Sequence, residues 1–404
     1  MEQIVMALTI SKMCGGIAPS VTLALNARVA QMRAEGMQVI SMGAGEPDFD
    51  TPAHIRRAAQ KALASGKTRY TAVPGIPELR TAVAAYLKRV NGLDYESNQV
   101  ILCTGAKQAL VGALQAILDE GDEVILPQPC WVSYPEMVRM AGGIAVPVYT
   151  TMEQGFVPTY EQLKAAVTGR TKAIIINSPS NPTGAVWTRE QLAAAAQLAQ
   201  EYDFYIISDE IYDKLVFAGA EHVSVPSLSP DAYARTILVN GFSKSYAMTG
   251  WRIGYAAGPR AVIDAMSACQ SHATGNPSSV SQYAALAALE GDQTCVDTMV
   301  QAFARRRDLM VSLARDIAGI SFFEPKGAFY ILLNVSKLMG KRVNGRVLEN
   351  SGDFSQALLE SQQVAVVPGE AFGADRCCRL SYAIEDGQIV EALTRIKAFV
   401  ESII

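Results

Sequence analysis

Histidine is scarce in this chain. Three occur in 404 residues, His54, His222 and His272, and none is spaced as a metal ligand. Cysteine offers no substitute. Its seven residues, Cys14, Cys103, Cys130, Cys269, Cys295, Cys377 and Cys378, are odd in number and scattered, with no CxxC pair. Neither a zinc site nor a disulfide framework is expected; the thiols read as reduced and the protein as cytoplasmic. An excess of one charge is also missing: the formal net charge is -4. That balance supplies no electrostatic reason for nucleic acid or an anionic membrane as partner. No apolar run reaches the length of a membrane span. The opening stretch, MEQIVMALTISKMCGG, has no cationic start before its short apolar run, so an N-terminal arm is expected rather than a signal peptide. No GxGxxG follows the first strand-like run, which argues against a nicotinamide dehydrogenase. Internal repeats, low-complexity tracts and long linkers are absent as well.

What is present is regular. Half of the residues are hydrophobic and 18% are charged, as in ordinary globular proteins, and the length suits two domains. Short apolar runs end in Gly, Pro, Ser or Asn: QVILCTG, DEVILPQP, TKAIIINSP, FYIISDE, TILVNGFSK and RIGYAAG. Helical stretches such as KQALVGALQAIL and REQLAAAAQLAQEY lie between several of them. This alternation predicts an α/β fold with a mostly parallel sheet covered on both faces, and ligands beyond the carboxyl ends of its strands. Near residue 291 the pattern changes to a charged helix, then AFYILLNV, a helix near 351–363, VAVVP, CRLSY and a final helix. The expected division is 1–45 as an arm and part of a small domain, 46–290 as the large domain, and 291–404 as a smaller α+β domain.

The chemistry-bearing residues fall at strand ends. Lys244, in NGFSKSYAMTGWRIGY, follows an apolar strand among small and aromatic residues. A partly desolvated lysine has a lowered pKa and a neutral amine able to form a Schiff base, although a lone lysine is by default a surface loop residue. Arg252, eight residues on, suits a phosphate. Asp209 ends the strand of FYIISDEIYD; a buried carboxylate there needs a cation or strong donor, such as the protonated pyridine nitrogen of pyridoxal 5′-phosphate (PLP), unless it is a helix N-cap. Tyr212 is close enough to reach the same ring. Asn181, in NSPSNPTG, could donate to the cofactor's phenolic oxygen, although the stretch is also simply a good turn. In TGAKQAL, Gly105 and Ala106 would expose backbone N–H groups at a helix N-terminus, a ready phosphate site, although glycine there also suits ordinary turn geometry. Together these residues offer one partner for each polar feature of PLP.

The sequence resembles the class I aminotransferases of PLP fold type I, and among them the prokaryotic aspartate aminotransferase-like subgroup. The matching stretches run from APSVTLALNARVAQMRAEG through GAGEPDFDTP, GKTRYTAVPGIPELR, TGAKQAL, WVSYPEMV, NSPSNPTG, SDEIYDKLVF, SKSYAMTGWRIGY and KGAFYILLNV to VAVVPGEAFG and CRLSYA, nearly the whole chain in the family's order. The resemblance implies that Lys244 is the Schiff-base lysine, Asp209 the pyridine-nitrogen partner, and Tyr212 and Asn181 the groups on the ring oxygen. It implies phosphate contacts from Arg252, Gly105 and Ala106, stacking by Trp131, and a phosphate contact to the neighbouring subunit from Tyr70, hence a homodimer. Arg379 matches the arginine that grips the substrate α-carboxylate, and Gly45 lies in the segment covering the substrate. Lys107, with Ser20 and Thr22, matches residues that read a distal carboxylate; Lys107 also lies beside the phosphate loop, where it would bind the cofactor phosphate, unless it is simply a solvent-exposed lysine. Two departures stand out: Gly241 replaces a phosphate-binding serine of many relatives, with Ser243 as a candidate substitute, and the phosphate loop reads Gly-Ala where close relatives often have Gly-Gly.

The implied reaction moves an amino group between an amino acid, aspartate or glutamate, and a 2-oxo acid in ping-pong order. A prephenate or other aminotransferase and a PLP lyase on the same fold remain open, because the same cofactor residues would serve. A regulatory module would need a DNA-binding domain ahead of the family match, which begins near residue 18, and none is expected.

Overall fold

The computed structural model describes residues 9–343 and 345–403. Residues 1–8 of the expected arm lie outside the described residues. The apolar runs become seven strands of one sheet: β1 (Val100–Cys103), β2 (Glu123–Gln128), β3 (Ile144–Tyr149), β4 (Thr171–Asn177), β5 (Tyr205–Asp209), β6 (Thr236–Gly241) and β7 (Gly254–Ala257). Their order is β1-β7-β6-β5-β4-β2-β3. β3, β2, β4, β5 and β6 run parallel, whereas β7 is antiparallel to both neighbours. The central strands are buried on both faces, so Val and Ile fill consecutive positions rather than alternate ones. β3 is not among the runs read from sequence. It forms the sheet edge, five of its six residues are exposed or half-exposed, and Pro147 interrupts it, as edge strands permit.

Helices cover both faces. Ala106–Ile117 leaves directly from β1, and Arg189–Glu201 begins with Thr188 and Gln191 capping each other reciprocally. Beyond the large sheet, a four-stranded antiparallel sheet is built from β8 (Ser321–Phe322), β9 (Tyr330–Asn334), β10 (Val367–Pro368) and β11 (Cys377–Ser381), in the order β10-β11-β9-β8. Ile40–Ser41 pairs in parallel with Val364–Ala365, which ties the segment before Gly45 to this part of the chain.

The helix Thr294–Arg315 links the two cores. Val296 packs with Ile55 and Leu79 under the large sheet, whereas Phe303, Met310 and Val311 pack with Tyr330, Leu380 and Phe399. Each fully buried large side chain of this kind stabilises the fold by roughly 1.5–3 kcal/mol. Packed against both cores, this helix joins them, and the cleft between them holds the site.

Candidate active site

β1 ends in a turn that only glycine permits. Gly105 caps the helix Ala106–Ile117 at φ 81°, and a Cβ there would lie 2.7 Å from Arg252 Nη2. The bare turn lets the Arg252 guanidinium rest against the positive end of a helix, a combination that attracts an anion. Arg252 is steadied by donating from Nη1 to the Thr249 carbonyl at 2.8 Å. The structure also gives a reason for Gly241. It lies where β6 and β7 approach closely, and a Cβ would meet Gly254 Cα at 3.0 Å and the Ile253 carbonyl at 3.3 Å. Ser243 is buried and lines the same cavity.

Asp209 ends β5, 3% exposed. No helix follows it, so the N-cap alternative falls; the chain enters a turn at residues 211–214 and the carboxylate faces the cavity. Oδ2 accepts from the Tyr134 hydroxyl at 2.6 Å and Oδ1 from the Ile211 N–H at 3.3 Å. Burial pushes the carboxyl up to about 6, and these two donors only partly offset it. A cation or a strong donor reaching this buried carboxylate would stabilise its charged form.

Lys244 follows β6. Its Nζ donates to the Gly45 carbonyl and lies 6.0 and 5.9 Å from the ring centres of Tyr212 and Phe329. Burial pulls its pKa down to about 8, and the Arg252 and Arg379 charges act the same way against Glu46 and Asp209. It is thus a half-buried amine inside a cleft, not a surface loop lysine.

Asn181 stands beyond β4, its N–H held by Asn177 Oδ1 at 2.8 Å; Asn177 Nδ2 in turn donates to the Asp209 carbonyl at 3.0 Å. Asn181 Oδ1 accepts from Arg379 Nη1 at 2.9 Å, which leaves the amide NH₂ to donate. Arg379, on β11, is 2% exposed and gives Nη2 to the Gly43 carbonyl at 3.0 Å. Its Nε has no acceptor, and among the described residues no carboxylate pairs with it. The guanidinium lies 4.4 Å from the Tyr330 ring centre and 4.9 Å from that of Phe372. A desolvated, flatly packed guanidinium without a counter-ion is a receptor for a planar anion such as a carboxylate.

All of these side chains line one cavity of about 280 Å³. Ser20, Thr22, Gly45, Ala106, Lys107, Trp131, Asn181, Asp209, Tyr212, Ser243, Lys244, Arg252 and Arg379 meet there; Gly105 backs it behind Arg252. Lys107 sits 4.7 Å from the Trp131 ring centre and 3.4 Å from Ser133 Oγ. Tyr70 does not reach this cavity: it is 98% exposed on the outer surface. Several lining residues were not foreseen, and three of them contact others of the site. Tyr134 holds Asp209, Asn177 holds Asn181, and the Tyr330 hydroxyl is 3.0 Å from that of Tyr212. Tyr330 reads in sequence as an ordinary core position of a strand, and nothing in WVSYPE distinguishes Tyr134 from a packing residue.

The residues fit a flat heteroaromatic aldehyde with an anionic tail: an amine for the aldehyde, a buried acid for a ring nitrogen, donors for a ring oxygen, and a helix N-terminus with an arginine for the tail. The model of the class I and II aminotransferases matches residues 37–396. The chain belongs to that family. Enzymes of this family depend on PLP, and the fold is that of the PLP-dependent transferases of fold type I. This aminotransferase is 47% identical over 393 residues to the aspartate aminotransferase of Geobacillus stearothermophilus, covering 97% of this chain and 99% of that one. It is 49% identical over 385 residues to the aspartate/prephenate aminotransferase of Cereibacter sphaeroides, covering 95% and 96%. The solved structure of Thermus thermophilus aspartate aminotransferase with maleate superposes with a TM-score of 0.92 at 45% identity, covering 97% and 100%. Among the described residues no helix is long and apolar enough to cross a membrane, and no group of three or more His, Cys, Asp or Glu could hold a metal ion.

Proposed function

We propose that this aminotransferase moves the amino group of aspartate or glutamate to a 2-oxo acid, with PLP carried on Lys244. The observation that carries the reading is the pairing, in one cavity, of a lysine with a depressed pKa, a buried acid and an unpaired buried arginine. When bound, PLP supplies an aldehyde for the amino group and a ring that takes up charge developing on the substrate Cα. Asp209, held by Tyr134, keeps the ring nitrogen protonated. Tyr212 and Asn181 donate to the ring oxygen, and Trp131 stacks on the ring. Gly105, Ala106, Ser243 and Arg252 hold the phosphate. Arg379 grips the α-carboxylate as a fork and so fixes which Cα bond faces Lys244. The neutral Lys244 amine would take the Cα proton and pass it, on the same face, to the carbon that had been the cofactor's aldehyde, and water would then release the 2-oxo acid. Gly45, whose carbonyl accepts from Lys244 Nζ, keeps that amine aimed and covers the substrate.

The parts of the chain divide as 1–45 with 291–404 in a small domain and 46–290 in a large PLP-binding one. The helix Thr294–Arg315 would then be their link. Seven free thiols suit a reducing cytoplasm. Steady-state assays of amino donors against 2-oxoglutarate test the whole reading. Parallel lines in the double-reciprocal plots and 2-oxo acid without ammonia are expected; ammonia release would identify a lyase.

Lys107, Ser20 and Thr22 all line the cavity and would read a distal carboxylate. A charge-assisted contact is worth roughly 1.5–3 kcal/mol, or about one to two decades in kcat/KM. Lys107→Ala is expected to lower kcat/KM for aspartate by about that much and to leave alanine and aromatic donors nearly unchanged. Equal weakening of all donors would reduce Lys107 to a neighbour of the phosphate. A second reading, prephenate as acceptor, is favoured by the name of the Cereibacter relative. Prephenate also carries a second carboxylate, and direct assay of it separates the two.

Tyr70 projects from its own subunit, 98% exposed, and would reach the phosphate of a second copy. On this reading the working unit is a homodimer. Sedimentation at assay concentration is expected to show two chains per particle; an active monomer would refute the cross-subunit role of Tyr70.

A further inference from the structure

Behind the turn at Gly105 lies a chain of glutamines that the proposed chemistry does not use. Gln270, on the helix Arg260–Ala273, is 3% exposed. Its Nε2 donates to the carbonyls of Val73 and Leu102 at 2.9 and 3.0 Å. Two carbonyls on one side fix the amide's orientation, because only its NH₂ end can face them. Oε1 is thereby left to accept, and it accepts from Gln108 Nε2 at 2.8 Å. That bond fixes Gln108 in turn, whose Oε1 accepts the Thr104 backbone N–H at 2.7 Å. Thr104 immediately precedes Gly105 and Ala106. The direction of every bond in the relay is thus dictated by two main-chain carbonyls, and the relay ends on the turn.

The same relay touches the stretch that follows Tyr70. Val73 is held by Gln270, and the Leu102 N–H donates to the Pro74 carbonyl at 3.0 Å. Gln282, fully buried, accepts the Ile76 N–H at 2.7 Å and donates to Thr71 Oγ1 at 3.1 Å and the Pro277 carbonyl at 2.8 Å. Residues 73 and 74 are therefore tied to the end of β1 by Gln270 and by a main-chain bond, and residues 71 and 76 to Pro277 through Gln282.

We infer that Gln108 and Gln270 are positioning residues for the phosphate end of the cofactor. They hold the Thr104–Ala106 turn so that the leading N–H groups of the helix converge, in fixed relation to the segment bearing Tyr70. The inference rests on the reading that this turn takes the phosphate. Removing Gln108 would strand the Thr104 N–H and Gln270 Oε1 without partners, and the turn would lose its orientation rather than its charge.

The test compares PLP with pyridoxal, which lacks the phosphate, as ligands of the wild type, Gln108→Ala and Gln270→Leu. Affinities come from absorbance titration of cofactor-free protein, with kcat measured at saturating PLP. Both variants are expected to bind PLP about tenfold more weakly, with pyridoxal affinity and kcat unchanged within about twofold. A relay that merely stabilises the fold would weaken both ligands alike, and that result would overturn the inference, as would an unaltered PLP affinity. If the wild type itself shows no preference for PLP over pyridoxal, the phosphate reading of the turn falls and the inference with it. Gln108 is only half-buried, so Gln108→Ala decides the matter should Gln270→Leu fail to fold.

Discussion

Lys244→Ala is expected to reduce transamination by more than about a thousandfold, because it removes the group proposed as both covalent anchor and proton carrier. The variant should still bind PLP, since Asp209, Asn181, Arg252 and the Gly105–Ala106 turn remain. Borohydride treatment followed by peptide mass spectrometry should label Lys244 in the wild type and no peptide in the variant. Turnover near the wild-type rate, or label on another lysine, would sink the assignment. The pH dependence follows from the environment of the amine. Its pKa is pulled down to about 8, chiefly by burial. Only the neutral amine attacks an aldehyde, so the rate at which cofactor-free protein captures PLP should rise as pH increases towards about 8 and level off above it. Capture that does not change across this range would place the reacting amine elsewhere.

Asp209→Asn carries the second large effect. The substitution keeps the shape but removes the charge proposed to hold the ring nitrogen protonated. A preorganised electrostatic group of this kind is worth about a hundredfold to a thousandfold in rate. The loss should appear in kcat for every amino donor, with KM little changed, because Asp209 does not touch the substrate carboxylates. Tyr134→Phe provides a graded comparison. It strips one hydrogen bond of 2.6 Å from the same carboxylate and should cost about tenfold or less. A near wild-type rate for Asp209→Asn would reduce the residue to a structural group at the end of β5.

Several elements were legible from local pattern because local forces decide them. The runs of β1, β2, β4, β5, β6 and β7 are continuous and apolar, as strands buried on both faces must be. The edge strand β3 escaped this reading, since Pro147 and its exposed positions leave no continuous run. Around the site, Lys244, Asp209 and Asn181 could be singled out because each is a polar group at an apolar strand end, where an unpartnered polar group is costly. Tyr134 and Tyr330 escaped because nothing local marks them: their roles are contacts with residues 75 and 118 positions away. Asn177, the polar last residue of apolar β4, bore the same local mark as Asp209 and holds Asn181 four residues on.

By itself, the sequence determined the strand and helix periods, the glycine at position 105 and the order of chemical groups along the chain, since each follows from side-chain size, polarity and backbone freedom. Only the tertiary structure decided which of these groups share a cavity. Arg379 comes from β11 of the small sheet and reaches Asn181, 198 residues earlier, while Lys244 meets Gly45 across 199 residues. Such long-range contacts depend on how the helix Thr294–Arg315 sets one core against the other. The depressed pKa of Lys244 and the raised one of Asp209 arise there too, from the burial and neighbouring charge that packing brings together.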